Sequence, residues 1–268
     1  MSSTTLRVTV TRKTTDLCVA VVACNNERTI QRMLRSVEGL ARRTIVVDSG
    51  STDSTIELCR ACGAEVIEHA WEGYVKQKQF ALDQCDGPWV LSLDSDESLD
   101  EEASRAVRRA IAANDTAIAG YAINRRAWIG DHELRHTWQP QRRTRLVRRE
   151  KARWAGYDPH DRLDVDGTVA RLPGLIRHDA FTDVQELLRK SVSHGLTTAV
   201  SYYEMGRRGS TMQLLLSPPS AVLKQLLKRS AWRDGWIGWV ASFSAGIQAA
   251  VKHMRLLELT HQDTGARS

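Results

Sequence analysis

Trp89-Val90-Leu91-Ser92-Leu93 is an apolar run that ends in Asp94-Ser95-Asp96-Glu97. The run has the length of a buried strand, closed by an acidic cluster. Two carboxylates one residue apart at a strand end are costly unless a cation lies beside them. Hard oxygen ligands suit Mg²⁺ or Mn²⁺, which keep waters and share phosphate oxygens. Acidic turns that only cap a helix are common, and the helix near Asp100 is at hand. What stands upstream decides between the two.

Upstream the hydrophobic period alternates. Leu17 to Ala23 is a short apolar run, as a buried parallel strand requires. Asn26 can cap a helix carrying Ile30, Met33, Leu34 and Val37. Thr44 to Val47 is a second strand, ending in Asp48-Ser49-Gly50-Ser51-Thr52-Asp53. Ser51 or Thr52 can cap the next helix, through Ile56, Leu58 and Cys59 to Gly63. Glu65 to Glu68 is a third strand and Tyr74 to Gln84 a helix. Such alternation means an α/β fold whose mostly parallel sheet is covered on both faces. Ligands of these sheets sit at the carboxyl ends of strands. Asn25-Asn26-Glu27, Asp48 to Asp53 and Asp94 to Asp96 all fall there, which favours a site over an acidic turn.

Composition bounds the rest. In 268 residues, 38 Lys and Arg against 32 Asp and Glu give a net charge of +6. With 42% hydrophobic and 26% charged residues the chain is neither disordered nor fibrous. A mean hydropathy of −0.37 argues against a multi-span membrane protein, and a pI near 9.2 fits an anionic partner. Five cysteines fit a reducing cytoplasm better than a disulfide scaffold. Cys59-Arg-Ala-Cys62 has redox or zinc spacing, but no second such pair accompanies it. Arg7, Arg12 and Lys13 before Leu17 to Cys24 imitate a signal segment; a buried first strand explains the run better. No GxGxxG follows that strand and no GxxxxGK[ST] occurs, which disfavours a dinucleotide fold and excludes a P-loop.

Downstream the pattern is less regular. A helix spans Glu101 to Ala112, and Tyr121 to Asn124 and Thr144 to Val147 read as strands. Leu163 to Val165 and Val169 to Ile176 suggest a hairpin around Asp166-Gly167. Residues 183–208 are helical, Pro218-Pro219 breaks the chain, and helical stretches follow near 220–230 and 235–257.

Three blocks now carry a resemblance. Val21-Val22-Ala23-Cys24-Asn25-Asn26-Glu27, Ile45-Val46-Val47-Asp48-Ser49-Gly50-Ser51-Thr52-Asp53 and Leu91-Ser92-Leu93-Asp94-Ser95-Asp96-Glu97 look like glycosyltransferase family 2, with its GT-A fold. The resemblance implies an inverting transferase that uses a nucleotide-diphosphate sugar, UDP favoured, and Mg²⁺ or Mn²⁺. Asn26 and Glu27 match positions near the nucleotide, Asp48 the position that binds the base, and Asp94 and Asp96 the DXD pair. In the family the second Asp is the usual direct metal ligand, with the first near the ribose. Trp71-Glu72-Gly73-Tyr74, Gln77 to Leu82, Pro159-His160-Asp161-Arg162 and Asp234 to Gly238 are similar to the bacterial lipopolysaccharide core subgroup, which includes β-1,4-glucosyltransferases. Where relatives often carry Thr-Lys, this chain has Cys24-Asn25, so Asn25 receives no contact.

Inversion at an anomeric carbon needs a base for the acceptor hydroxyl and charge stabilisation on the leaving diphosphate. Position in the subgroup makes Asp161 the first candidate base and Asp158 the second. Lys76 or Lys78 can reach the phosphates, or can lie on a solvated helix face. His132 and His136 lack a helical pattern and are discounted as a metal site.

Arg142 to Arg153 holds seven bases and one acid. It reads as recognition of an acidic acceptor, as docking to anionic lipid, or as a solvated face; no nucleic-acid motif accompanies it. Trp232, Trp236 and Trp239 share a helical face, and Gly235 to Val251 carries no charge for 17 positions. That is too short and too polar to span a bilayer, and suits a helix on the inner leaflet or a cover over the acceptor site.

The expectation is an N-terminal lead-in (1–16), a GT-A catalytic domain (17–180) and a helical region (181–268). The function expected is transfer of a sugar, glucose first, to an anionic glycolipid of the lipopolysaccharide core, on the cytoplasmic face of the inner membrane. Competing readings are a nucleotidyltransferase, which lacks its glycine-rich loop here, and a basic lipid- or polyanion-binding module, which leaves the acidic clusters unexplained.

Overall fold

The computed structural model describes residues 16–158 and 160–265. The lead-in therefore lies, but for Asp16, outside the described residues, as does Pro159. Strands β1 (Leu17–Ala23), β2 (Arg43–Asp48), β3 (Glu65–Glu68) and β4 (Trp89–Asp94) are all parallel, in the order β3-β2-β1-β4. β1 is central, with Val21 opposite Val46 on one side and Leu93 on the other. The sheet continues with β8 (Arg142–Arg148) antiparallel to β4, then β6 (Ile118–Ile129), β11 (Thr168–Phe181) and β5 (Glu97–Leu99). β7 (His132–Glu133) pairs β6 at its end, while β9 (Ala152–Tyr157) and β10 (His160–Val165) form a separate two-stranded sheet.

Strand alternation sorts the core into two layers. Leu17, Val19 and Val21 pack with Ile30, Met33 and Leu34 of α1 (Ile30–Ser36), Cys59 of α2 (Thr55–Ala61) and Val107 of α4 (Glu101–Ala113). Cys18, Ala20, Ile45 and Val47 face the other way, against Ala81 and Leu82 of α3 (Tyr74–Asp83) and against Trp154 and Leu163. Both faces are covered, as the alternation requires. Leu91 is fully buried in the first layer, and Leu91→Ala is expected to cost about 2–5 kcal/mol.

Several local expectations are corrected. Asn26 does not cap α1 through its side chain: its Oδ1 accepts from the Cys24 amide, while its carbonyl receives the Thr29 and Ile30 amides. α2 starts later than Ser51 or Thr52 would set it. Asp53 Oδ1 accepts from both the amide and the hydroxyl of Thr55, at 3.0 and 2.5 Å. The hairpin around Asp166-Gly167 does not form. β10 pairs with β9, His160 facing Tyr157, and β11 runs parallel to β6. Gly167, at φ +129°, carries the chain from the small sheet to the large one.

After Phe181 the described chain is helical: α5 (Val184–Glu204), α6 (Thr211–Leu223), a π turn over Lys224–Lys228, a 3₁₀ turn over Ala231–Asp234, and α7 (Trp236–Gly265). Pro218 and Pro219 lie inside α6 instead of breaking it. Tertiary packing overrides their lost amide donors: the ideal Cβ position of Gly246 on α7 is 2.6 Å from Val222 and 3.4 Å from the Pro218 carbonyl. Trp232 belongs to the 3₁₀ turn, so only Trp236 and Trp239 share a helix.

Candidate active site

β4 delivers Asp94 from its carboxyl end, and the chain turns through Ser95-Asp96 into Glu97, the first residue of β5. Glu97 has no exposed surface; its Oε2 accepts from the Asp94 amide at 3.1 Å. Its Oε1 accepts from Arg125 of β6 at 2.9 Å and Arg145 of β8 at 2.5 Å. Arg145 also donates to Asp94 Oδ2 at 2.8 Å. On the opposite side Lys78 of α3 reaches Asp94 Oδ1 at 2.6 Å and Asp161 Oδ2, on β10, at 2.8 Å. Three cations and three carboxylates thus alternate through one network, Arg125, Glu97, Arg145, Asp94, Lys78 and Asp161.

Desolvating so many charges is tolerated because each meets an opposite charge within hydrogen-bond reach. Burial pushes the Asp94 carboxyl up, but Arg145, Lys78 and Arg125 outweigh it and hold the group well below the usual carboxylate range. Burial pushes Lys78 down, and Asp94 and Asp161 outweigh that, so the ammonium is held above its ordinary value.

Asp96 points elsewhere. Its Oδ2 lies 3.3 Å from His178 Nε2 of β11. Burial raises this carboxyl, and the charge and hydrogen bond of His178 outweigh it, for a net lowering. Among the described residues no group of three or more His, Cys, Asp or Glu side chains could hold a metal alone. A carboxylate beside an imidazole, both facing a cavity, fits a divalent ion that takes its remaining ligands from phosphate and water. Asp94, with both oxygens engaged by cations, fits that part less well than Asp96.

The cavity holds about 1190 Å³ and is lined by Asp94, Asp96, Lys78, Arg143, Trp154 and Asp161 among others. Three donors at its wall are buried with no partner: the Nε atoms of Arg143 and Arg145 and the indole Nε1 of Trp154. Orphaned buried donors are rare and costly. Burial, with Arg125 and Arg145 nearby, pushes the Arg143 guanidinium below its ordinary value. Burial and Arg143 likewise lower His160. This wall is short of negative charge and of acceptor oxygens.

The other expected residues fare differently. Asn26 lines the cavity. Glu27 is exposed and clasps α2, accepting from the Ser54 amide at 3.1 Å. Asp48 is fully buried; Oδ1 accepts from the Gly50 and Ser51 amides and Oδ2 from the Ser51 hydroxyl at 2.5 Å. In this arrangement it organises its loop, and its neighbour Ser49 reaches the cavity. Asp158 lines the cavity but accepts from the Tyr74 amide at the start of α3, a cap to that helix. Lys76 lies on the exposed helix face, whereas Lys78 is buried at the cavity wall. Cys59 is buried with its thiol pushed up to about 12 by burial first and Asp48 second, an inert setting for the CxxC pair.

Glu97, Arg125 and His178 were not singled out in the sequence. Glu97 had a signal, as a third acid beside the DXD pair. Arg125 and His178 come from strands 28 and 81 residues downstream of Glu97, and only sheet order brings them in. The basic run 142–153 divides: Arg143 and Arg145, two apart on β8, face the cavity, while Arg149, Lys151 and Arg153 are exposed.

A family model described as glycosyl transferase family 2 matches residues 18–164, and the chain belongs to that family. It is similar to the lipopolysaccharide core biosynthesis glycosyltransferase LpsC of Rhizobium meliloti (strain 1021), 29% identical over 87% of this chain and 88% of that one. It is equally similar to the uncharacterized glycosyltransferase RT0209 of Rickettsia typhi, 29% identical over 92% and 88% of the two chains. Among solved structures, glucosyl-3-phosphoglycerate synthase of Mycobacterium tuberculosis, in complex with Mn²⁺, uridine diphosphate and glucosyl-3-phosphoglycerate, is 21% identical. It aligns over 72% of this chain and 81% of that one with a TM-score of 0.48.

Proposed function

We propose that this enzyme moves a hexose, glucose first, from a UDP-sugar to an anionic acceptor of the lipopolysaccharide core, with inversion, on the cytoplasmic face of the inner membrane. The observation that carries the reading is the meeting of Asp94, Asp96, Lys78 and Asp161 at one cavity on the carboxyl ends of the parallel strands. In this proposal residues 17–180 are the catalytic domain, and the described residues after them its helical extension.

In this reading the sugar nucleotide lies over Asn26 and Ser49 with its diphosphate toward Asp96. Asp48 reaches the base only by giving up its bond from the Ser51 hydroxyl. Asp96, with His178 beside it, would hold Mg²⁺ or Mn²⁺, and the ion would supply charge to the departing diphosphate. Lys78 keeps Asp94 and Asp161 in fixed relative positions. Both Asp161 and Asp158 line the cavity; Asp161, paired with Lys78, is the first base, and Asp158, which accepts from the α3 amide, the second. Asp161 takes the proton of the acceptor hydroxyl as that oxygen attacks the anomeric carbon and the nucleotide diphosphate leaves from the opposite side. Arg143 presents its charge and an unmet Nε donor to an acidic acceptor, and His160 faces the same cavity as an uncharged imidazole.

The test is a screen of nucleotide sugars with Mg²⁺ or Mn²⁺, reading free nucleotide diphosphate, with Asp96→Ala alongside. Metal-dependent release from one UDP-sugar, abolished in the variant, supports the proposal. Failure to bind UDP with either metal, together with silence across the panel, overturns it.

A further inference from the structure

Helices α5, α6 and α7 carry apolar side chains that nothing in the described chain covers. On α5 they are Leu188, Val192 and Leu196, four residues apart. On α6 and the π turn after it they include Met212, Leu215 and Leu227, at 69%, 68% and 72% exposure. On α7 they are Trp236, Trp239 and Phe243, about half exposed or more.

The rows join into one surface. α7 lies between the other two helices: the ideal Cβ position of Gly195 on α5 is 2.9 Å from the Gln248 carbonyl, and that of Gly246 on α7 is 2.6 Å from Val222. Gly246 marks the side of α7 turned to α6, and Val251 the side turned to α5. At about 100° per residue the Trp236-Trp239-Phe243 stripe falls between those two directions. α5 runs with α7, since Leu187 packs near Ala241 and Tyr202 near Lys252. α6 runs against it, since Gly209 meets Leu257 and Val222 meets Gly246. With those directions the helical phase turns all three rows to the same side, a shelf three helices wide. Single exposed apolar residues are ordinary, but a continuous patch of this extent is not.

Charge says what covers it. From 184 to 235 the chain carries eight Lys and Arg against three Asp and Glu. One of the three acids, Asp234, is spent on the amides of residues 135–137. Lys224, Lys228 and Arg233 stand exposed beside the apolar rows. Among the described residues no helix is long and apolar enough to cross a membrane.

We propose that this shelf docks on the surface of an anionic phospholipid bilayer. The apolar rows enter the interface, the tryptophans sit at headgroup level, and the basic residues meet lipid phosphates. The docking deepens the proposed function, on which it rests only for the acceptor being lipid-borne. α5 turns Lys190 and His194 to the active-site cavity from its other side. The cavity then lies one helix diameter, about 10 Å, from the lipid surface.

Flotation of the purified full chain with phosphatidylcholine vesicles, with and without phosphatidylglycerol, tests this. The chain is expected to float with the anionic vesicles and to come off as salt rises. Leu215→Glu combined with Leu227→Glu is expected to lower the partition about tenfold or more, with circular dichroism and Tm unchanged because both positions are exposed. Lys224→Glu with Lys228→Glu should weaken binding to anionic vesicles alone. Absence of flotation, or flotation equal in wild type and variants, overturns the proposal. So does a dimer in sedimentation velocity that the leucine pair dissolves while vesicles bind nothing, which would give the face to a second copy. UDP release measured without vesicles reports on the active site alone, so failure of docking and failure of the transferase reading are told apart.

Discussion

The carboxyl end of β4 and the outer face of α5–α7 depart from ordinary residue sorting in opposite directions. At the first, Lys78, Arg145 and Glu97 are charged yet their side chains are 6%, 4% and 0% exposed. On the second, Leu227, Met212 and Trp236 are apolar yet more than half exposed. The buried charges there are compensated within the chain, carboxylate against cation, while the Arg143, Arg145 and Trp154 donors at the cavity wall are unmet. Among the described residues the exposed apolar face has no such partner. A site that must present charge to a ligand holds it rigid with opposite charge, whereas a surface that must meet another phase leaves its compensation outside.

The largest expected effect is on chemistry. Asp96→Asn should lower sugar transfer about a thousandfold with the fold intact by circular dichroism; near-normal turnover would separate the charged site from the reaction. Next comes stability. Lys78→Met leaves Asp94 and Asp161 without their shared cation and should cost about 3 kcal/mol in urea unfolding. A neutral result would mean the network is not internally compensated.

A smaller effect concerns pH. Burial holds the folded pKa values of His160 and His194 below their ordinary range, with Arg143 and Lys190 adding to it. The unfolded chain therefore takes up these protons first. Their contribution to stability is full above about pH 6.5 and declines as pH falls below it. His160→Gln with His194→Gln should flatten that part of the profile. Asp94 and Asp96 have depressed folded values, so their contribution persists above about pH 3.9 and is lost as pH falls through the folded values. The smallest effect is at the shelf, where Met212→Ser should change stability by no more than about 0.5 kcal/mol. A larger loss would mean that the outer face is core to something within the chain.

The parallel half of the fold was legible because local pattern and tertiary role agree there. Leu17 to Ala23, Thr44 to Val47 and Trp89 to Leu93 are buried or half-buried strands, and their ends carry the polar clusters. The later half was less so. Asp166-Gly167 has hairpin chemistry, but β10 finds Trp154 and β9 instead. Pro218-Pro219 has breaker chemistry, but contact with Gly246 keeps α6 continuous. In the site, Asp94 and Asp96 announced themselves through spacing. Their separate fates, Asp94 among Lys78 and Arg145 and Asp96 beside His178, depend on strands distant in sequence, which spacing alone does not encode.

Calorimetric titration with UDP, with and without Mn²⁺, in wild type and Asp96→Asn tests the central claim most directly. The account predicts UDP binding that requires the metal in wild type and is lost in a folded Asp96→Asn. UDP binding that ignores the metal and survives the substitution, or no binding in either protein, would contradict it.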